Sequence, residues 1–187
     1  TRLQGDWSSD VCSSDLASTS FFDETKKIAG ALSSSQTRGK FGEAQLQLLL
    51  EQAGLREGHE YQAQRSTTDS DSSGIPDITI AMPGGSKLFI DSKFPFDRFL
   101  EAIGEKDPSE RARLMELHAK DLMGHVTALA KRGYQATGNS PDYVVLFAPF
   151  ESILSEAIDA DPQLLHKAFE KNIAIATPTT MLALDRK

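Results

Sequence analysis

The chain has 187 residues, 39% of them hydrophobic and 25% charged, and carries a net charge of −7 at neutral pH. That length supports one domain with a real core, and the composition is that of a globular chain rather than a fibrous or disordered one. No apolar run approaches bilayer-spanning length, nothing reads as a secretory signal, and the acidic balance counts mildly against binding nucleic acid through unspecific phosphate contacts.

Residues 1–16 stand apart. Gly5 to Leu16 reads Gly-Asp-Trp-Ser-Ser-Asp-Val-Cys-Ser-Ser-Asp-Leu. It looks like one translated frame of a sequencing-library adapter, or else it is a Ser/Asp-rich disordered tail. It holds the only Trp (Trp7) and the only Cys (Cys12); setting residues 1–16 aside removes three aspartates and Arg2 and moves the net charge from −7 to −5. No thiol then remains for a disulfide, a thiolate metal site or a nucleophile. Residues 17–38 read as a helical stub and linker: Phe21 to Ser35 places Ile28, Ala29 and Leu32 on one side, and Ser33–Ser34–Ser35 makes a linker.

Gly39 to Ala53 is a helix closed by Gly54 as its C′ residue. Glu43 shares a face with Leu46 and Leu50 by i, i+3, i+7 spacing. An acid at the head of a core-facing stripe is either a helix-dipole partner or part of a site. His59 to Arg65 reads as the first strand, with Tyr61 on one side and Gln64 near its end. Thr67 to Gly74 is a polar loop whose Asp69 and Asp71 lack the glycine and distal glutamate of a calcium loop.

The strongest local signal follows. Ile75 to Lys93 contains two short apolar runs about a Pro83-Gly84-Gly85 break, the signature of a β-hairpin. Ile78, Ile80 and Met82 alternate with Asp77, Thr79 and Ala81, and Leu88 and Ile90 alternate with Phe89, Asp91 and Lys93. The apolar faces match only if Ile78 lies opposite Ile90 and Ile80 opposite Leu88, which leaves a three-residue loop. That register puts Asp77 across from Asp91. Like charges so placed destabilise a sheet, and a divalent cation with oxygen ligands is the obvious compensation.

Phe94-Pro95-Phe96 breaks the strand, and Phe99, Leu100 and Ile103 belong to a short helix. Asp107-Pro108-Ser109-Glu110 reads as N-cap, N1 proline and N3 acid of a long helix to about Arg132. Its His118, Leu122, His125 and Leu129 fall on one stripe, where buried structural histidines are the better reading. Asn139-Ser140-Pro141 is a turn, Tyr143 to Ala148 a buried strand, and Phe150 to Ile158 a helix. Asp161-Pro162 caps another, with Leu164, Leu165, Ala168 and Phe169 inside. Ile173 to Ala176 is a last core strand, and Thr177-Pro178 opens a final helix.

Pro76-Asp77, a hairpin and then Asp91-Ser92-Lys93 together resemble the PD-(D/E)xK signature of restriction-endonuclease-like nucleases. Gly39-Lys40-Phe41-Gly42-Glu43 opening a helix, Leu49 to Gly58, Asp91-Ser92-Lys93, Pro141-Asp142-Tyr143 before a strand, and Thr177-Pro178-Thr179-Thr180 resemble, in order, the RmuC family of bacterial DNA-recombination proteins. The likeness covers roughly residues 36–187. It implies an α/β domain over residues 39–187, a restriction-endonuclease-like mixed sheet flanked by helices, truncated at its C-terminus.

The resemblance further implies a metal-dependent deoxyribonuclease that hydrolyses phosphodiester bonds. Asp77 and Asp91 would hold Mg²⁺ (or Mn²⁺), with Glu43 and the Ser92 backbone carbonyl as further ligands and Lys93 stabilising the transition state. Gln64, His118, His125, Lys131 and Tyr134 are the candidate substrate contacts, each with an ordinary structural reading beside it. DNA is the implied partner, with no small-molecule cofactor. The implied location is the bacterial cytoplasm, with an N-terminal anchor and coiled coil in longer members of the family. The alternative is a non-cleaving DNA-structure-binding module, or a scaffold, with a nuclease-like fold.

Overall fold

A computed structural model of the chain describes residues 34–64, 76–92, 94–134 and 143–183. The adapter-like segment, most of the helix expected before Ser35, the loop at residues 67–74, Lys93 and the turn at residues 139–141 lie outside them.

The first helix, α1 (Ser35–Gln52), starts four residues earlier than its glycine-led pattern suggested, because Ser34 caps it. The Ser34 hydroxyl accepts from the Thr37 amide at 3.1 Å, satisfying one of the orphan donors of the first turn. Ser34 and Ser35 are therefore a helix start and not a linker. Gly54, at φ +84°, ends the helix in a conformation that L side chains rarely adopt.

Five strands follow the expected pattern: β1 (Tyr61–Ala63), β2 (Ile78–Ala81), β3 (Lys87–Asp91), β4 (Val144–Phe147) and β5 (Ile173–Ala176). They form one sheet in the order β1-β2-β3-β4-β5. The first three strands run antiparallel, and β3, β4 and β5 run parallel. The hairpin register has Ile78 opposite Ile90 and Ile80 opposite Leu88. Pro83–Gly85 makes the connection, with Gly84 and Gly85 both at positive φ, a freedom that glycine has at no steric cost.

Helix α2 (Asp97–Gly104) and the long α3 (Pro108–Lys131) link β3 to β4. Asp107 caps α3 by accepting from the amides of Ser109 at 2.8 Å and Glu110 at 3.3 Å. Helices α4 (Glu151–Ala160) and α5 (Leu164–Phe169) precede β5, and α6 (Pro178–Ala183) follows it. In α5 the pattern misled. Leu164 and Ala168 are buried, but Leu165 and Phe169 are 43% and 67% exposed. In a helix of six residues, the second i, i+4 pair lies about 100° round from the first and faces water.

Alternation along the strands separates two apolar layers. Ile78, Ile80, Leu88, Ile90, Val145 and Phe147 meet Leu46, Leu49 and Leu50 of α1 and Met181 of α6 on one face. Phe89, Val144, Leu146 and Ile173 meet Ala119, Leu122, Val126 and Leu129 of α3 on the other, together with α4 and α5. The chain is thus a five-stranded mixed sheet flanked by helices on both faces. No helix among the described residues is long and apolar enough to cross a membrane.

Candidate functional site

Because α1 and α3 cover opposite faces of the sheet, a cleft opens between them where β3 ends and β2 begins. It encloses about 830 Å³ and is lined by Lys40 and Glu43 of α1, Asp77, Ser92, Phe94 and Pro95 of the sheet end, Lys120, Asp121, Gly124, His125 and Ala128 of α3, and Pro149. Helix α1 comes close to the sheet end at Gly42, where an added Cβ would lie 3.4 Å from the Ser92 carbonyl oxygen. Phe41, the next residue back, stacks on Phe150 with ring centroids 5.5 Å apart. Arg38 at the cleft mouth is tied to Asp97 at 2.6 Å.

Four acids line this cleft, Glu43, Asp77, Asp97 and Asp121, and the first two are electrostatically coupled. Glu43 stands half-buried at the head of the Leu46–Leu50 stripe. Burial raises its pKa, the neighbouring Asp77 carboxylate raises it further, and Lys40 acts in the opposite direction. Asp77 is fixed from both sides. Its carbonyl accepts from the Gln64 amide at 2.8 Å, and its Oδ2 accepts from the Ser92 amide at 2.8 Å and the Ser92 hydroxyl at 3.1 Å.

Asp91 goes elsewhere. It is only 5% exposed and does not line the cleft. Its Oδ1 accepts from Arg132 Nη1 at 2.9 Å, and the same nitrogen reaches the Tyr134 hydroxyl at 3.3 Å. The charge that the hairpin register brings close to Asp77 is therefore offset within the protein by a guanidinium. Sequence reasoning did not find Arg132. It lies 41 residues from Asp91, and the only local signal is a cation at a helix C-terminus, which has an ordinary dipole explanation.

The remaining predicted residues divide. His125 lines the cleft together with Glu43, Asp77 and Ser92. Tyr134 is buried beside Asp91, and burial raises its pKa while Arg132 opposes the shift. Lys131 is exposed and Gln64 half-buried, and neither lines the cleft. His118 is fully buried and so is not a substrate contact. Its ring sits 5.6 Å from Phe99 and 6.2 Å from Phe94, and its Nε2 lies 3.0 Å from the Ile153 carbonyl. A carbonyl only accepts, so Nε2 carries the proton. Burial lowers the His118 pKa, with the Ile153 bond opposing the shift. Lys93 lies outside the described residues.

Among the described residues no group of three His, Cys, Asp or Glu side chains converges tightly enough to hold a metal ion by itself. What the cleft offers is a pair, Glu43 and Asp77. Lysines stand on two of its walls, and Phe94 and Pro95 add apolar surface.

Known proteins resemble this chain along nearly its whole length. The sequence profile of the RmuC family matches residues 12–186. A DNA recombination protein RmuC homolog of Yersinia pestis is 37% identical over 161 residues, 84% of this chain and 33% of that protein. The homolog of Pseudomonas aeruginosa is 34% identical over 164 residues, 86% of this chain and 36% of that protein. The DNA recombination protein RmuC of Escherichia coli K12 is 32% identical over 151 residues, 79% of this chain and 32% of that protein. The chain thus spans about a third of the length of the curated relatives it matches. No solved structure matches it. A profile match from residue 12 to residue 186, together with relatives at this identity, shows that the chain belongs to the RmuC family.

Proposed function

We propose that the cleft is the centre of a restriction-endonuclease-like, metal-dependent deoxyribonuclease domain that hydrolyses phosphodiester bonds during DNA recombination. The observation that carries this reading is the pairing of Glu43 and Asp77. They come from different elements, line one cleft, and lie close enough that Asp77 raises the Glu43 pKa. The relatives' names supply the DNA context.

The donor set suits a hard cation. Mg²⁺ is commonly bound through one or two carboxylates, with waters and substrate phosphate oxygens completing the shell. Glu43 and Asp77 would hold it, and Ser92 locks the Asp77 carboxylate in place through its amide and hydroxyl. Mg²⁺ or Mn²⁺ bound there would lower the pKa of a water and neutralise charge on the phosphate. Asp91, whose charge Arg132 offsets, is not a direct ligand in this reading. Lys40 opposes the rise in the Glu43 pKa and so favours the ionised carboxylate. Lys93 is the point charge that the family resemblance assigns to the transition state.

Titration calorimetry with Mg²⁺ or Mn²⁺ tests this. Saturable binding is expected for the wild type and none for Glu43→Gln/Asp77→Asn, with cleavage of linear or branched DNA lost in Lys93→Ala. A folded protein that binds neither metal, or a Lys93→Ala variant that cuts at the wild-type rate, would sink the mechanism.

The Asp91–Arg132 pair favours a second reading, a non-cleaving module that grips DNA structures. A carboxylate already neutralised by a guanidinium needs no metal. DNA binding that survives chelation, with no cleavage in Mg²⁺ or Mn²⁺, would select that reading.

A further inference from the structure

We propose that the cleft seats one unpaired DNA strand, its phosphates between Lys40 and Lys120 and a base against Phe94. The proposal rests on reading the cleft as a DNA site and is independent of whether the strand is cut.

Three features converge on it. Lys40 and Lys120 reach the same cleft from α1 and α3, helices on opposite faces of the sheet. Neither takes part in an ion pair among the described residues, whereas Arg38 at the cleft mouth is tied to Asp97 and the exposed arginines of α2 and α3 to glutamates in the same helices. Two ammonium groups reaching one cleft from facing helices can each take a phosphate of a single strand. With four carboxylates also lining the cleft, among them Asp97 and Asp121, bulk charge does not select the ligand. Shape and stacking must.

Phe94 supplies the stacking surface. Its ring is half-buried, packs on His118 at 6.2 Å and on Phe96 at 6.4 Å, and lines the cleft. A duplex presents phosphates and sugars to such a wall and keeps its base faces inside, so the ring gains nothing from it. An unpaired base has a face to give.

The third feature is room. Gly124 lies in the interior of the 24-residue α3, exposed, one turn beyond Lys120, and an added Cβ would meet nothing within 4 Å. Glycine weakens a helix interior, and here no packing neighbour requires it. Its effect is to widen the cleft beside Lys120, and Ala128, one turn on, keeps the wall low.

Fluorescence anisotropy in EDTA tests the seat, using the whole chain, a labelled oligothymidylate and a duplex of equal length. The single strand is expected to bind tighter than the duplex. Gly124→Leu should weaken single-strand binding at least tenfold while melting no lower than the wild type. Lys40→Ala and Lys120→Ala should each flatten the log–log salt dependence by about 0.7. Phe94→Leu should reduce the preference for the single strand roughly tenfold, and the remote Lys171→Ala should change nothing. Equal or tighter duplex binding, or a Gly124→Leu variant that binds like the wild type, overturns the proposal and leaves the DNA reading intact. A folded wild type that binds neither DNA, in EDTA or in Mg²⁺, overturns both.

Discussion

His118 and His125 belong to the same helix and the same sequence stripe, yet they occupy unlike worlds. His118 has no exposed surface and is enclosed by Phe94, Phe99 and the Ile153 carbonyl. His125, two turns further along α3, lines the cleft with Glu43 and Asp77. Phe94 touches both regions, packing on His118 and lining the cleft. The buried region follows the rules of a core in its apolar neighbours, neutral imidazole and satisfied Nε2 donor, although the buried Nδ1 meets no partner. The cleft region departs from them with paired acids, lysines left to solvent and a glycine in mid-helix. Such local departures in an otherwise consistent structure are where function is expected.

The largest expected effect lies on the buried side. His118→Ala opens a cavity among the rings and removes the bond to the Ile153 carbonyl, a loss of about 3 kcal/mol by urea unfolding. His125→Ala should cost less than about 1 kcal/mol. The buried histidine also carries a pH response. The His118 pKa is lowered from its ordinary 6.5, so its stabilising contribution is complete above that value and is lost as pH falls through the folded-state pKa. The stability gap between wild type and His118→Ala should therefore narrow on acidification. A constant gap from pH 7 down to pH 5 would mean that the imidazole is not held neutral by burial.

A smaller effect separates the two aspartates of the hairpin. Asp91→Asn removes the charge that balances Arg132 in a site where the Asp91 side chain is 7% exposed. The cost should be about 2 kcal/mol, below that of a fully buried pair because 34% of the Arg132 side chain sees water. Asp77→Asn retains an amide oxygen for the Ser92 amide and hydroxyl and should cost under about 1 kcal/mol. Paired thermal melts check this. Equal losses would show that Asp91 is not structurally committed to Arg132 and would return it to the metal-binding set.

The difference between the regions also marks what was legible in the chain. The hairpin could be read to the residue, because period-two alternation and a Pro-Gly-Gly break leave one register that buries both apolar faces. The start of α3 was equally legible, because Asp107, Pro108 and Glu110 form a local cap. Whether Leu165 and Phe169 face in or out was not, since six residues are too few for periodicity to choose a face. A helical stripe names the residues that share a side but not what covers them, so His118 and His125 looked equivalent until α2 and the Ile153 carbonyl were seen to close over one of them. The Arg132–Asp91 pair, a helix end against a strand, and the arrival of Lys40 and Lys120 in one cleft from helices on opposite faces of the sheet are purely tertiary, and no spacing encodes them. Glu43 could be singled out but not assigned, because a helix-dipole acid and a cleft acid occupy the same position in the first turns.

The smallest change asks whether the cleft side carries a cost in stability. Gly124 is exposed in the interior of α3 with open space around its missing Cβ, so Gly124→Ala should stabilise the protein by about 0.8 kcal/mol through helix propensity alone. A methyl group narrows the cleft far less than the leucine used to block it, so most DNA binding should remain. Stabilisation of that size would identify the glycine as a residue that fold stability alone does not explain, and the width it preserves as the reason to look for a ligand there. A neutral or destabilising result in urea unfolding would show that this part of α3 is strained in a way that glycine relieves, and its presence in the cleft wall would then follow from the fold.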